Sequence, residues 1–583
     1  MSTRKPSQPP PPSGTVAQWA SQTLRSWSVG ALPIINYFLE RLQLEAILQA
    51  HLPSRDGRGK LPVARGLIIL VQNILLAREP LYGLRAWAAL HDPQLLGLTP
   101  EQIGSLNDDR IGRCLTALFH GRRPALILAL IRQVVREFDV GLDQLHNDST
   151  TISFYGAYPD AATEKNRQGQ ITPAITWGHS KAHRPDLKQL LYILTLSSDG
   201  GVPVHCRVAS GNVADDTTHR DNWDMLCQIA GTANFLYVAD CKLVTHENLN
   251  YIATRGGRFV SVLPRRRRED TLFRERLQRG AVVWQPLWSK VDEEGEVFDR
   301  FTVAAGNEVL SEGYRLWWYH STRKADFDVA SRSNRLDRAV QRLGQLQAKL
   351  RAPRARQRDR VKMQEHVEQI LKHYEVTDLV RVELVERPVE TFQQRRRGRP
   401  GPNTEYIKRV RLRLDLDYTI DVAAVANAQK SDGVFPLVTN DASLSALETL
   451  LAYKRQPTIE KRFEQLKTDF AVAPVWLKDV RRIEGLLHVY FIVLLVEALL
   501  ERELRRGMDR AGLETLPLYP EGRPCRWPTA RRIIDLFEPV QRHVLETTAS
   551  STPVVTQTAV TQRTAVHNQV LRLLRLPKNA YGG

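Results

Sequence analysis

The stretch LLYILTLSSDGGVPVHCRVA, residues 190–209, admits few folds. Two apolar runs with β-branched residues flank the turn signal SSDGG, so the segment reads as an antiparallel strand pair. A similar run, LHNDSTTISFYG, precedes it, and NFLYVAD follows. Next come THENLNYIATRGG, a helix pattern with a capping threonine and a glycine stop, and RFVSVLP, a further strand. Hairpin strands followed by strand–helix–strand alternation imply a mixed sheet with helices packed on it, an α/β class.

The flanking texture sets the domain boundaries. Residues 1–22, opening MSTRKPSQPPPPSG, read as a disordered, proline-rich tail without the apolar centre of a secretion signal. Residues 23–140 read as helices: LPVARGLIILVQNILLA and SLNDDRIGRCLTALFHG carry helix-period apolar positions, with Ser105 or Asn107 as a cap. The first part of the α/β core spans 141–264. An inserted β-rich and helical domain is expected over 265–430. It holds RRRR at 265–268, the strands AVVWQPLW and YRLWWYHS, and a basic helical hairpin from Lys324 to Tyr374 broken near RAPRAR. A basic loop, QQRRRGRPGPNTEY, and the alternating strand KRVRLRLDLDYTIDVAAV complete it. The core resumes over 431–510 with GVFPLVTN, helices from Leu444 onward and a strongly apolar helix over Val489–Arg506. Residues 511–583 read as shorter helices and coil.

The 583 residues carry 82 Lys and Arg against 64 Asp and Glu, a formal charge of +18 with pI near 9.8. Such an excess points to a polyanionic partner, nucleic acid or an anionic membrane face. The apolar runs Gly66–Ala77 and Val489–Leu500 are too short to span a bilayer, and Glu497 interrupts the second, so no membrane partner is expected. Five scattered cysteines, at 114, 206, 227, 241 and 525, form no CxxC pair and argue against a disulfide framework or structural zinc. A cytoplasmic, nucleic-acid-facing protein is expected.

Three carboxylates stand out. Asp148 lies in the first strand of the core, and Asp240 closes FLYVAD at the carboxyl end of a strand, where open α/β sheets place ligands. Glu460 follows Pro457, which suits the first turn of a helix, so it falls near the positive end of the helix dipole. Lys467 is two turns on, about 20° away around the helix. Phosphodiester chemistry uses hard oxygen ligands to hold Mg²⁺, and a pair of ions can serve the attacking and leaving oxygens of an in-line displacement. Blander readings of the same residues are open: Asp240 as a turn or helix cap, Asp143 in place of Asp148, Glu460 as solvated surface, Glu464 as the third acid.

The motifs resemble the DDE transposases of bacterial insertion sequences, in the branch with a Y-(2)-R-(3)-E-(6)-K signature. HNDSTTISFYG is similar to the family's first-Asp strand, GHSKAHRPDLKQLLYILTLSSDGGVPVHCRVASGN to the segment after it, VADCKLVTHENL to the second-Asp motif and DGVFPLVTN to the strand before the final helix. In YKRQPTIEKRFEQLK, Tyr453, Glu460 and Lys467 match the signature, while Gln456 stands where Arg is expected and Arg455 precedes it. The resemblance implies a ribonuclease-H-like core with an insertion between the second and third acids, as the long Asp240–Glu460 interval allows. It also implies an N-terminal helical DNA-binding region and Asp148, Asp240 and Glu460 as catalytic ligands of two Mg²⁺ ions, for which Mn²⁺ substitutes. Its further implications are element ends and target DNA as partners, a homodimer on DNA, no small-molecule cofactor, and a bacterial, nucleoid-associated location.

Expected DNA contacts are Tyr453, Arg455 and Lys467, with His179, Lys181, His183, Arg184 and Lys188 in GHSKAHRPDLKQ; a solvated hairpin loop is the alternative for that cluster. Arg397 and Arg399 in RGRP resemble an AT-hook core for the minor groove, or serve generic phosphate binding. Trp317 and Trp318 are read either as a platform for an extruded base, as in related transposases, or as packing in the small domain.

Overall fold

Residues 21–53, 61–181, 183–292, 295–306, 308–352, 359–470, 472, 475–548 and 554–582 are described by a computed structural model. All but the last two residues of the expected tail, and most of RAPRAR, lie outside them. The chain divides into two compact units, one of residues 1–237 and 455–583, the other of residues 238–454.

The first unit starts with β1 (Ser21–Ser28) and a helical stretch that includes α1 (Val63–Leu76), α2 (Asp108–His120) and α3 (Arg123–Phe138). Asn107 is the cap of α2, its side chain accepting from the Arg110 amide at 2.7 Å. Three strands follow, β2 (Gln144–Phe154), β3 (Lys188–Ser197) and β4 (Pro203–Ser210), then α4 (His219–Ala230) and β5 (Leu236–Ala239), where the chain passes to the second unit. The order is β4-β3-β2-β5, with β2–β3 and β3–β4 antiparallel, as the SSDGG hairpin requires.

In the second unit α5 (His246–Ala253), capped by Thr245, leads to β6 (Arg258–Val262), the hydrogen-bonded neighbour of β5. A helix joining adjacent strands is the parallel crossover, so the sheet is mixed. After α6 (Arg268–Gln278) come β7 (Trp284–Val291), β8 (Val297–Ala304) and β9 (Arg315–Ser321). Next are the helical pair α7 (Thr322–Arg351) and α8 (Arg360–His373), then the long ribbon β10 (Val380–Gln394) and β11 (Tyr406–Ile420). The unit closes with β12 (Val434–Thr439) and α9 (Ala446–Tyr453). Leu336, Leu343, Val367, Ile370, Leu384 and Leu416 give the helical pair and ribbon a core of their own. The three strands β7–β9 do not have one: β12 inserts between β6 and β9, giving β6-β12-β9-β8-β7. The sheet therefore continues past residue 264, because its closing strand comes from 434–439, a pairing with no local signal.

The chain re-enters the first unit with α10 (Pro457–Glu464) and α11 (Val480–Arg510). α11 has 31 residues and is apolar enough to cross a membrane by length and composition, longer than the run read at Val489–Leu500. Nearly all of its apolar stretch is buried within the protein, against α1, α2 and β4. The C-terminal region departs from the expected helices and coil. Its β13 (Gln541–Thr548) and β14 (Val554–Val560) form a three-stranded antiparallel sheet in the order β1-β13-β14. Their β-branched composition suits strands, but the partner β1 is about five hundred residues away in sequence.

Candidate active site

Strand alternation sorts β2 into two faces, His146 and Asp148 on one and Asn147 and Ser149 on the other. Behind the strand, Asn147 Oδ1 accepts from Thr195 Oγ1 at 2.9 Å and from Asn222 Nδ2 at 2.8 Å. Asn222 Oδ1 accepts from His205 Nδ1 at 2.7 Å, and the Tyr237 hydroxyl meets His219 Nδ1 at 3.0 Å. Burial pushes both histidines down to about 4, so they are neutral, and these hydrogen bonds tie β2 to β3 and α4.

On the other face the decisive residue is Gln456. It is buried, its Nε2 donates to the Asn147 carbonyl at 3.0 Å, and its Oε1 accepts from His146 Nδ1 at 2.9 Å. Burial brings His146 down to about 4, and its Nε2 meets Gln144 Nε2 at 2.8 Å, consistent with a neutral ring protonated on Nδ1. Gln456 thus docks the start of α10 on the face of β2 that carries Asp148. Pro457 opens the helix and Glu460 lies exposed in its first turn.

A second hold on α10 comes from the β3–β4 turn. Arg462 donates to the Gly201 carbonyl at 3.1 Å and the Gly200 carbonyl at 3.4 Å, and pairs with Glu501 of α11 at 3.0 Å. Gly201 has φ +63°, and a Cβ there would lie 2.6 Å from Thr458 Cγ2. Gly201 is thus required both by the turn and by the approach of α10, while a Cβ on Gly200, at φ +76°, would meet the Arg502 side chain of α11. Beyond Glu464 the helix widens into a π-turn, Gln465–Asp469, which carries Lys467. The two-turn spacing that puts Glu460 and Lys467 on one face of an ideal helix is broken there. Lys467 still feels this site: burial and the Lys181 charge lower its pKa, and Asp148 opposes them.

Asp148 sits in an oxygen-rich setting. Burial raises its pKa, and Lys181 and the Ser149 amide, which donates to Asp148 Oδ1 at 2.7 Å, pull it back. Lys181 Nζ lies 3.4 Å from Asp148 Oδ1, 3.0 Å from Asp215 Oδ2, 2.8 Å from the Ser149 carbonyl and 2.7 Å from Ser149 Oγ. Ser149 Oγ in turn donates to Asp215 Oδ1 at 2.9 Å. The donor set is all oxygen and already surrounds a positive charge, so its chemistry fits a hard cation such as Mg²⁺. Neither Asp215 nor Ser149 is marked out by sequence alone; the only local signal is the Asp215–Asp216 pair after the hairpin.

The remaining expected residues are distributed as follows. Asp240 is in the second unit at the end of β5, where it caps the turn Cys241–Leu243, its Oδ1 accepting from the Lys242 amide at 3.1 Å. The acidic trio is thus divided between the two units, and among the described residues no three His, Cys, Asp or Glu side chains are gathered as a metal-holding group. Tyr453 ends α9, half-buried against the Phe301–Tyr319 cluster, and Arg455 is exposed. His179 and His183 are exposed, His183 with φ +55°. Arg184 pairs with Asp186 at 2.6 Å, and Lys188 bonds the Ala157 carbonyl with its ammonium 4.8 Å from the Trp177 ring. Arg397 and Arg399 are exposed between β10 and β11.

Lys181 and Trp318, two of the expected DNA contacts, meet other partners, as does the RRRR run of the inserted domain. Lys181 faces the Asp148 and Asp215 carboxylates rather than projecting into solvent. Trp318 is 2 % exposed, stacks on Phe273 with centroids 3.8 Å apart, and donates from Nε1 to Glu308 at 2.7 Å. Both its faces and its polar edge are committed to packing, so it offers no platform for a base, while Trp317 is half-buried beside Tyr319. In the RRRR run, Arg267 is tied to Glu269 at 3.1 Å and Glu312 at 2.7 Å.

A domain family of unknown function, DUF4277, matches residues 24–132. Among curated proteins none matches the chain. Among solved structures, a cryo-EM structure titled as a piggyBac transposase synaptic complex with hairpin DNA is similar over 87% of this chain and 78% of that chain. The sequence identity there is 7% and the TM-score 0.31, too weak a likeness to assign fold or function.

Proposed function

We propose that the protein is a DNA transposase of the DDE type with a ribonuclease-H-like core, cleaving the ends of a mobile element and joining them to target DNA. The observation that carries this reading is the docking of α10 on the Asp148 face of β2 through Gln456, which bonds His146 and the Asn147 carbonyl. It brings the helix bearing Glu460, distant in sequence, to the strand bearing Asp148, as the motif resemblance requires. The antiparallel β2–β3–β4 set and the β5–α5–β6 crossover agree with the expected mixed sheet.

In this reading Asp148, Asp240 and Glu460 would hold two Mg²⁺ ions, which would lower the pKa of bound water and neutralise charge on the phosphate. The chain's own residues do the rest. The buried Asn147 layer keeps β2 rigid, so the Asp148 carboxylate is presented without rearrangement. Gln456 and Arg462 fix the start of α10 and with it Glu460. Lys467 supplies positive charge beside Asp148 for a DNA phosphate, and the exposed Arg455, His179 and Arg184 extend that surface. Water and then a DNA 3′-hydroxyl are the successive nucleophiles, and the protein acts on duplex DNA as a homodimer in the cytoplasm.

Asp148→Asn, Asp240→Asn and Glu460→Gln are each expected to abolish strand cleavage of end-containing DNA in Mg²⁺ while binding of the same DNA, followed by gel shift, changes less than about threefold. Cleavage that persists in all three variants refutes the assignment.

A further inference from the structure

Lys181 is the feature that the proposed reaction leaves unexplained. Lysine side chains usually extend into water, because burying an ammonium is costly unless it is paired and hydrogen-bonded. Here the ammonium is turned inward and shared among Asp148 Oδ1, Asp215 Oδ2, the Ser149 carbonyl and Ser149 Oγ, with distances of 3.4, 3.0, 2.8 and 2.7 Å. Its side chain is 27% exposed, and those of Asp148 and Asp215 are 22% and 15% exposed.

The arrangement has a physical logic. Two carboxylates held in one partly buried pocket repel each other, and without a counter-charge one of them must take up a proton or the pocket must open. A lysine from the β2–β3 connection supplies that counter-charge through the same oxygens that a hard cation would use. The ammonium and a divalent ion cannot both occupy the cradle, since cations a few ångströms apart repel strongly at the effective dielectric of a partly buried site.

We propose that Lys181 is a built-in placeholder cation: it holds Asp148 and Asp215 together in the metal-free protein and is displaced from their oxygens when a divalent ion binds, with Asp215 as an additional oxygen donor to that ion. This inference rests on the reading of Asp148 as a metal-holding residue. No covalent bond is made or broken in the exchange: the ammonium's hydrogen bonds to the cradle oxygens give way to metal–oxygen coordination, and one monovalent charge leaves as one divalent charge enters. Lys181 is a positioning residue in the metal-free state and, once released, a cation at the rim of the site beside Lys467.

The test is metal binding read by thermal unfolding of the full chain, with Mn²⁺ alone as the probe and no DNA. Lys181→Met keeps the length of the side chain and removes its charge. The metal-free variant is expected to melt below the parent, and Mn²⁺ is expected to raise its Tm with a half-saturating concentration about tenfold lower than for the parent. Equal half-saturation overturns the placeholder role. Asp148→Asn run alongside separates this from the underlying reading: if that variant responds to Mn²⁺ as the parent does, Asp148 holds no metal and both ideas fall. Loss of its response together with an unchanged Lys181→Met response removes the placeholder alone. The unsubstituted protein offers a further measurement should Lys181→Met not fold. Acetylation of Lys181 by an amine-reactive reagent, followed by mass spectrometry, is expected to speed up several-fold on adding Mn²⁺, while Lys408 on the β10–β11 ribbon keeps its rate. An unchanged rate at Lys181 overturns the proposal.

Discussion

Gln456 shows how one position can look like a defect in sequence and work as a joint in the structure. The branch signature has arginine there, and arginine is a better phosphate ligand than glutamine. The site, however, needs a donor toward the Asn147 carbonyl and an acceptor for His146 Nδ1 in a buried setting, and arginine has no acceptor. Gln456→Arg is therefore expected to lower the Tm and cleavage together rather than restore a stronger enzyme. Gln456→Ala strands the His146 donor and the Asn147 carbonyl, costing about 1–3 kcal/mol of unfolding free energy in urea titrations. A Gln456→Arg protein that is more stable than the parent would refute the joint. Asp148, Asp240 and Glu460 are singled out as candidates in the sequence because motif order and strand-end position are local properties. What Gln456 and Lys181 bond to is not legible there, because their partners lie far along the chain and only folding brings them together.

At the level of elements, α10 and α11 carry the most consequential polar chemistry. The Arg462–Glu501 pair is buried on both sides, and Arg462 also bonds the β3–β4 turn, so removing the arginine breaks those bonds and leaves the buried Glu501 carboxylate with only the longer Arg505 contact at 3.7 Å and the Ala530 amide at 3.0 Å. Arg462→Met is expected to cost about 3–5 kcal/mol, and Arg462→Met with Glu501→Gln clearly less than the sum of the two single losses; additive losses would mean that the pair is not coupled. Glu497, one turn earlier on α11, is pushed up to about 8 by burial and by Glu501. The folded chain thus keeps a proton that the unfolded chain gives up above the ordinary glutamate range. The associated stability is fully present below about pH 4.5 and is lost as pH rises toward 8, at up to about 1.4 kcal/mol per pH unit. Glu497→Gln should flatten that part of the profile when unfolding free energies at pH 5 and pH 8 are compared. Helices such as α11, and strands such as β3 and β4, follow from apolar periodicity. The strands β13 and β14 do not, because a β-branched run beside polar residues reads equally as coil until its partner β1 is known.

Across the whole molecule the excess of positive charge is not spread evenly over usable surface. Several cations are neutralised by carboxylates within the protein: Lys181 by Asp148 and Asp215, Arg267 by Glu269 and Glu312, Arg462 by Glu501. Composition alone does not separate these from the cations left outside. The ribbon β10–β11 is different, since Arg397 and Arg399 are exposed at its turn, away from the core formed by α7, α8 and the base of the ribbon. If this turn touches phosphates, removing one arginine should make the dependence of log K on log salt shallower by about 0.9. The double substitution Arg397→Ala, Arg399→Ala should then reduce the slope by about 2 and weaken binding equally for A·T-rich and G·C-rich duplexes. Insertion into a narrow minor groove predicts a different outcome, a larger loss on A·T-rich DNA than on G·C-rich DNA at the same salt. An unchanged slope on both duplexes would remove the turn from the DNA-binding surface. Because the ribbon turn belongs to the second unit while Asp148 and Glu460 belong to the first, this variant should keep its metal-induced Tm shift, separating loss of DNA grip from loss of the proposed metal site.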